Sequence, residues 1–203
     1  MEIHWAEVWT AVARELAEHD NAGLQAFLTE DVVRFATVRA LGRAGVPPAR
    51  LRTEWRVAGQ SIDLAVGEPV RTAVEFKFPR EPSETNAAWT QHLGELLKDF
   101  YRLAHLPASV EERWCVQVVS ERLRRYLDGV ETRHGVRLSM TAGDVTTLPQ
   151  EIHQLLPRTA ATILAPWALS PGAVFARCAH TLDAGAGMRL VVHSVRAADP
   201  RPA

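Results

Sequence analysis

The chain has 203 residues, enough for one domain with a substantial core, and its 47% apolar and 23% charged residues exclude global disorder. A net charge of −1 excludes a polycation that holds nucleic acid by total charge alone. The N-terminus, Met1-Glu2-Ile3-His4-Trp5, lacks the basic and apolar regions of a signal peptide. No run approaches the roughly 18 apolar residues of a membrane span, so the expectation is a cytoplasmic protein with no membrane partner. Two cysteines, Cys115 and Cys178, are too few for a disulfide framework or a zinc cluster and read as buried reduced thiols.

Residues 5–18 read as an amphipathic helix, with Trp5, Val8, Trp9, Val12 and Leu16 at helical spacing. Thr29 is an N-cap residue type, and Glu30 and Asp31 suit the first turn of a helix running to about Leu41, where Gly42, Gly45 and Pro47 predict its end. Three strands are expected next, over 52–58, 61–66 and 70–78. They are separated by Gly59-Gln60 and Gly67-Glu68-Pro69, and such short connections favour an antiparallel meander. A helix over 84–104 carries an apolar stripe of Trp89, Leu93, Leu96, Leu97, Phe100 and Leu103. Its polar stripe, Gln91, Glu95, Lys98 and Arg102, faces either a cleft or water. The near-continuous apolar run 114–120 predicts a strand buried on both faces and reached by a helical crossover, hence parallel to its neighbour. A helix over 121–129 and a late hairpin, 174–182 with 188–195, complete the predicted elements. Residues 199–203 read as a flexible tail, leaving 1–198 as one domain.

The third strand holds the rarest residue. Only two lysines stand against 21 arginines, and Lys77 follows Glu75 on one strand face in Ala73-Val74-Glu75-Phe76-Lys77. Asp63 lies on the preceding strand. Two neighbouring carboxylates repel by roughly 4 kcal/mol at about 4 Å and an effective dielectric near 20, and a hard cation relieves that repulsion. Oxygen ligands favour magnesium or manganese. The competing reading is a solvated strand face bearing cross-strand ion pairs.

The order helix, three-strand meander, helix, strand, with Asp63 on the second strand and Glu-x-Lys on the third, resembles the PD-(D/E)XK nuclease superfamily across residues 28–120. The resemblance implies an α/β fold with a restriction-endonuclease-like core: a central mixed sheet, antiparallel meander plus crossover strand, flanked by helices, with an extra C-terminal hairpin. It implies Asp63, Glu75 and the Phe76 carbonyl as ligands of Mg2+ or Mn2+, Lys77 as the water-positioning residue, and Glu30 as a helix acid, with Asp31 the alternative. Ile62 stands where the family name has proline, and Gln91 is followed by Glu95 rather than tyrosine.

Implied with the fold is a metal-dependent nuclease, its partner nucleic acid, DNA above all. A catalytically inactive nuclease-like module that binds nucleic acid or a protein is the alternative, and a homodimer remains open. Local charge fits a polyanion: Arg34 to Arg80 holds nine basic and four acidic residues. Arg122, Arg124 and Arg125 are candidates either for phosphate contacts or for an exposed helix face. Trp55 and Trp89 could stack on bases, but their apolar periodicity favours core packing.

Overall fold

A computed structural model of the chain describes residues 2–79, 86–167 and 172–198. The first helix, α1 (Trp5–Asn21), buries Val8, Trp9, Val12 and Leu16, as their spacing requires. Trp9 stacks on Trp5 at 5.1 Å between ring centres and meets Trp114 edge-on at 6.1 Å. Helix α2 (Glu30–Arg43) begins where expected, with the Thr29 hydroxyl accepting from the Val32 N–H. It runs past Gly42 because the chain turns only at Gly45, whose φ of +84° lets the Val46 N–H reach back to the Leu41 carbonyl.

Strands β1 (Leu51–Val57) and β2 (Gln60–Val66) form a hairpin around Ala58-Gly59, both at positive φ, the conformation a two-residue turn demands. Strand β3 (Thr72–Lys77) pairs antiparallel with β2. Helix α3 (Asn86–Ala104) then crosses to β4 (Glu112–Ser120), which lies parallel to β3 as the crossover predicts. The expected start of that helix at Glu84, like the tail at 199–203, lies outside the described residues.

Helix α4 (Glu121–His134) extends five residues beyond the expected stop at Gly129. The apolar stripe Leu123, Leu127, Val130 continues through that glycine, and the true stop is Gly135, in the left-handed conformation. Strand β5 (Val145–Leu148) and helix α5 (Arg158–Leu164) follow, neither foreseen, and then the expected hairpin, β6 (Val174–Asp183) and β7 (Met188–Ala197). That hairpin belongs to the main sheet: β7 pairs antiparallel with β4, giving the order β1-β2-β3-β4-β7-β6-β5.

The result is a mixed seven-stranded sheet with helices on both faces. Helices α1 and α2 cover the face carrying Leu64, Val74, Phe76 and Val116. Helices α3, α4 and α5 cover the face carrying Ala65, Ala73 and Cys115. Gly94 on α3 allows the close approach of α5, since a Cβ there would lie 2.9 Å from the Ala160 Cα. Both cysteines are buried free thiols. No helix among the described residues is long and apolar enough to cross a membrane.

One buried polar chain braces β4 against β7. The Gln117 side chain meets His193 Nδ1 at 3.2 Å, and His193 Nε2 lies 2.9 Å from the Ser139 carbonyl. With Nε2–H donating to that carbonyl and Nδ1 accepting from the Gln117 amide nitrogen, the imidazole is neutral. Burial pulls the His193 pKa down to about 4, against the opposing Ser139 hydrogen bond. Between the ordinary value of 6.5 and about 4, the unfolded chain therefore binds a proton that the folded protein refuses. Stability from this group is full above pH 6.5 and falls as pH drops through that window, by about 3 kcal/mol. His193→Gln should lose less stability than the wild type between about pH 7 and pH 4.5 in urea titrations; equal losses would contradict a buried neutral imidazole.

Candidate active site

The expected site residues meet where β2 and β3 part. Their ladder pairs Val66 with Thr72, Ala65 with Ala73 and Leu64 with Val74, and stops there. Beyond it β2 stays with β1, through Trp55 and Ile62, while β3 stays with β4, through Phe76 and Lys77. Glu75 lies two residues beyond Ala73, so strand alternation puts it on the α3 face, while Asp63 stands just past the end of the ladder, with Arg34 of α2 beside it. The separation leaves the Phe76 N–H without a strand partner, and it donates instead to Asp63 Oδ2 at 2.7 Å.

Glu75 is 1% exposed. Burial, then the neighbouring Asp99 and Asp63, push its carboxyl up to about 10 against the opposing Arg102. A hydrogen bond with the Asp63 side chain acts in the same direction. Arg102 Nη2 lies 3.0 Å from Glu75 Oε1, yet that buried oxygen has no well-aligned hydrogen bond. Asp63 Oδ1 in turn faces Arg34 Nη2 at 3.5 Å.

Lys77 Nζ donates to the Phe76 carbonyl at 3.1 Å and pairs with Asp99 Oδ2 at 2.9 Å. Burial opposes its charge, but Asp99, Glu30 and Asp63 outweigh burial and hold its pKa above the usual lysine range. Glu30, on the first turn of α2, is half-buried; burial raises its pKa, with Asp63 adding and Lys77, Arg34 and the Phe78 N–H opposing. Asp31 is exposed and reaches Arg34, at 3.7 Å, so the two first-turn acids separate into one beside the fork and one in water. Phe76 presents its backbone to the fork and buries its ring on the opposite face.

Asp99 is a site residue that sequence reasoning missed. It is fully buried on α3, and Arg102 Nη1 lies 3.0 Å from its Oδ1. The signal was there: Asp99 falls between Leu96 and Leu103 on the apolar stripe, where an acid breaks the pattern. Arg102, one of the stripe assigned to cleft or water, turns into the site, pairing with Glu75 and Asp99 and donating to the Ser61 carbonyl. Gln91 faces solvent, while Lys98 pairs with Glu95.

A cavity of about 220 Å³ opens beside Lys77, bounded by Glu30, Glu95, Gln117 and the leucines of α3 and α4. The other candidates lie elsewhere. Trp89 is buried and stacked on Tyr126, and Trp55 packs against the core. Arg124 and Arg125 are engaged by Glu121 on their own helix.

Comparisons with protein-family models, with curated proteins and with solved structures found no match. Among the described residues, no group of three or more His, Cys, Asp and Glu side chains stands close enough to hold a metal ion. What the fork offers is smaller: two touching carboxyls, a buried Glu75 oxygen lacking a hydrogen bond, and a main-chain carbonyl. Such an oxygen-only set fits magnesium or manganese, which keep several waters and need only one or two carboxylates.

Proposed function

We propose that the chain is a metal-dependent phosphodiester hydrolase of the PD-(D/E)XK, restriction-endonuclease-like kind, acting on nucleic acid, with DNA the first substrate to try. The observation that carries this reading is the contact between Asp63 and Glu75 at the fork, with the Lys77 ammonium alongside. Asp63, Glu75 and the Phe76 carbonyl would hold Mg2+ or Mn2+. A bound divalent cation supplies charge neutralisation at a phosphoryl oxygen and an acidified water.

The protein's own groups do the rest. Glu75 would give up its proton to present an anionic oxygen beside Asp63. Lys77, fixed through the Phe76 carbonyl and Asp99, orients the attacking water and stabilises negative charge developing on the phosphoryl group. Glu30 borders the same space and can accept a proton from that water.

The direct test is cleavage of single-stranded DNA, duplex DNA and RNA by purified protein in Mn2+ and in EDTA. Metal-dependent cleavage supports the reading. Inert protein that also fails to bind Mn2+ in calorimetry rules it out.

One observation favours a second reading. Arg34 and Arg102 already lie against Asp63 and Glu75, as they would in a scaffold that binds nucleic acid or a protein without cutting. That protein would bind nucleic acid equally well with and without EDTA.

A further inference from the structure

Resting on the hydrolase reading, we propose that Asp99 is a positioning residue, which holds the Lys77 ammonium in its working direction and away from the cation-binding carboxylates.

An ammonium has three N–H bonds. At Lys77 one is directed to the Phe76 carbonyl at 3.1 Å, and Asp99 Oδ2 lies 2.9 Å from the same nitrogen as its ion-pair partner. The other Asp99 oxygen is taken by Arg102 Nη1, at 3.0 Å, and the same guanidinium reaches Glu75. Asp99 thus fixes Lys77 while being fixed itself by a residue bridging α3 to β2 and β3.

Stability alone gives no reason for this acid. Asp99 is 0% exposed on the packed face of α3, where a leucine would avoid the several kcal/mol that desolvating a carboxylate costs. Lys77, by contrast, has a flexible four-carbon stem and sits near Glu30 and Asp63. Without Asp99 its ammonium would fall onto those acids and neutralise the oxygens a metal needs. Position, more than charge, is what Asp99 supplies.

Lysine scarcity provides the readout. With 13Cε-labelled lysine, Lys77 and Lys98 give the only two side-chain signals in the spectrum, assigned through Lys98→Arg. Held rigidly, the two ε-methylene protons of Lys77 are inequivalent; in Asp99→Asn they should merge. At saturating Mn2+ and nucleic acid, kcat should fall about 10²-fold with KM unchanged, because the buried Asp99 touches no substrate. Asp99→Glu keeps the charge and serves if the asparagine variant does not fold; its displaced carboxylate should also merge the signals and lower kcat. Unchanged inequivalence in a folded variant, or wild-type kcat, overturns the assignment. If the wild-type protein cleaves nothing, the hydrolase reading fails on its own, and the Lys77 signal still decides whether Asp99 holds the lysine.

Discussion

Lys77→Met should lower metal-dependent cleavage about 10²–10³-fold, the loss typical of removing one well-placed electrostatic donor. The lysine enters the fork from β3 with its ammonium fixed by a main-chain carbonyl and a buried aspartate. Arg102 is committed to Glu75, Asp99 and the Ser61 carbonyl, and Arg34 to the outer acids Glu54 and Asp31 as well as Asp63. The variant should still bind Mn2+, because the carboxylates of Asp63 and Glu75 remain. Single-turnover cleavage measured beside Mn2+ calorimetry separates the two effects. Loss of metal binding together with activity would show that Lys77 organises the carboxylates rather than the water.

The second large effect concerns Glu75 and has opposite signs with and without metal. Its folded pKa, pushed up to about 10 by burial and by Asp99 and Asp63, stands above the ordinary value of 4.5. Between those values the folded protein keeps a proton that the unfolded chain releases, so stability falls as pH rises through the window. Glu75→Gln mimics the protonated acid without that dependence. Metal-free, it should match the wild type near pH 4.5 and exceed it at about pH 8 by at least about 1–2 kcal/mol, since a tenfold difference in proton affinity between the folded and unfolded chain is worth about 1.4 kcal/mol. Mn2+ should then stabilise the wild type by about 2.7 kcal/mol at about 100 times Kd and leave the glutamine variant unmoved. Thermal melts at both pH values, with and without Mn2+, check all of this. A variant less stable than wild type at the higher pH would mean that Glu75 is held ionised by Arg102.

Much of this site could be read from residue order, for a geometric reason. A short turn between β2 and β3 leaves little freedom of register, and that register brings Asp63 and Glu75 to the same end of the ladder. Helix α2 was legible because Thr29 caps it, and the cap also delivers Glu30 to the fork. Long-range pairing was not legible. Nothing local to 174–197 says that β7 joins β4 rather than standing apart, because that choice depends on residues some 70 positions away. Residue order alone ends helix α4 too early because Gly129 resembles a stop, whereas Val130 keeps the buried stripe running. Asp99 escapes notice for the converse reason: a single acid among leucines looks like an interruption until Lys77 and Arg102 are seen to surround it.

Burial at the fork also explains why acids and cations are interleaved there rather than segregated. Glu75 and Asp99 are both removed from water, and each costs several kcal/mol unless matched. Arg102 serves both, Lys77 serves Asp99, and Asp63 receives a backbone N–H. Two oxygens there lack a well-aligned hydrogen bond, Asp99 Oδ2 on α3 and Glu75 Oε1 at the point where β2 and β3 part. That is where the charge of a divalent cation would be most stabilising.

Crystals soaked in Mn2+ and measured at its absorption edge test this most directly. The expected result is one anomalous peak at the fork, coordinated by Asp63, Glu75 and the Phe76 carbonyl, with Lys77 still on Asp99. An empty fork, with Arg34 and Arg102 still on the two carboxylates at saturating Mn2+, would contradict a metal-dependent active site in this protein.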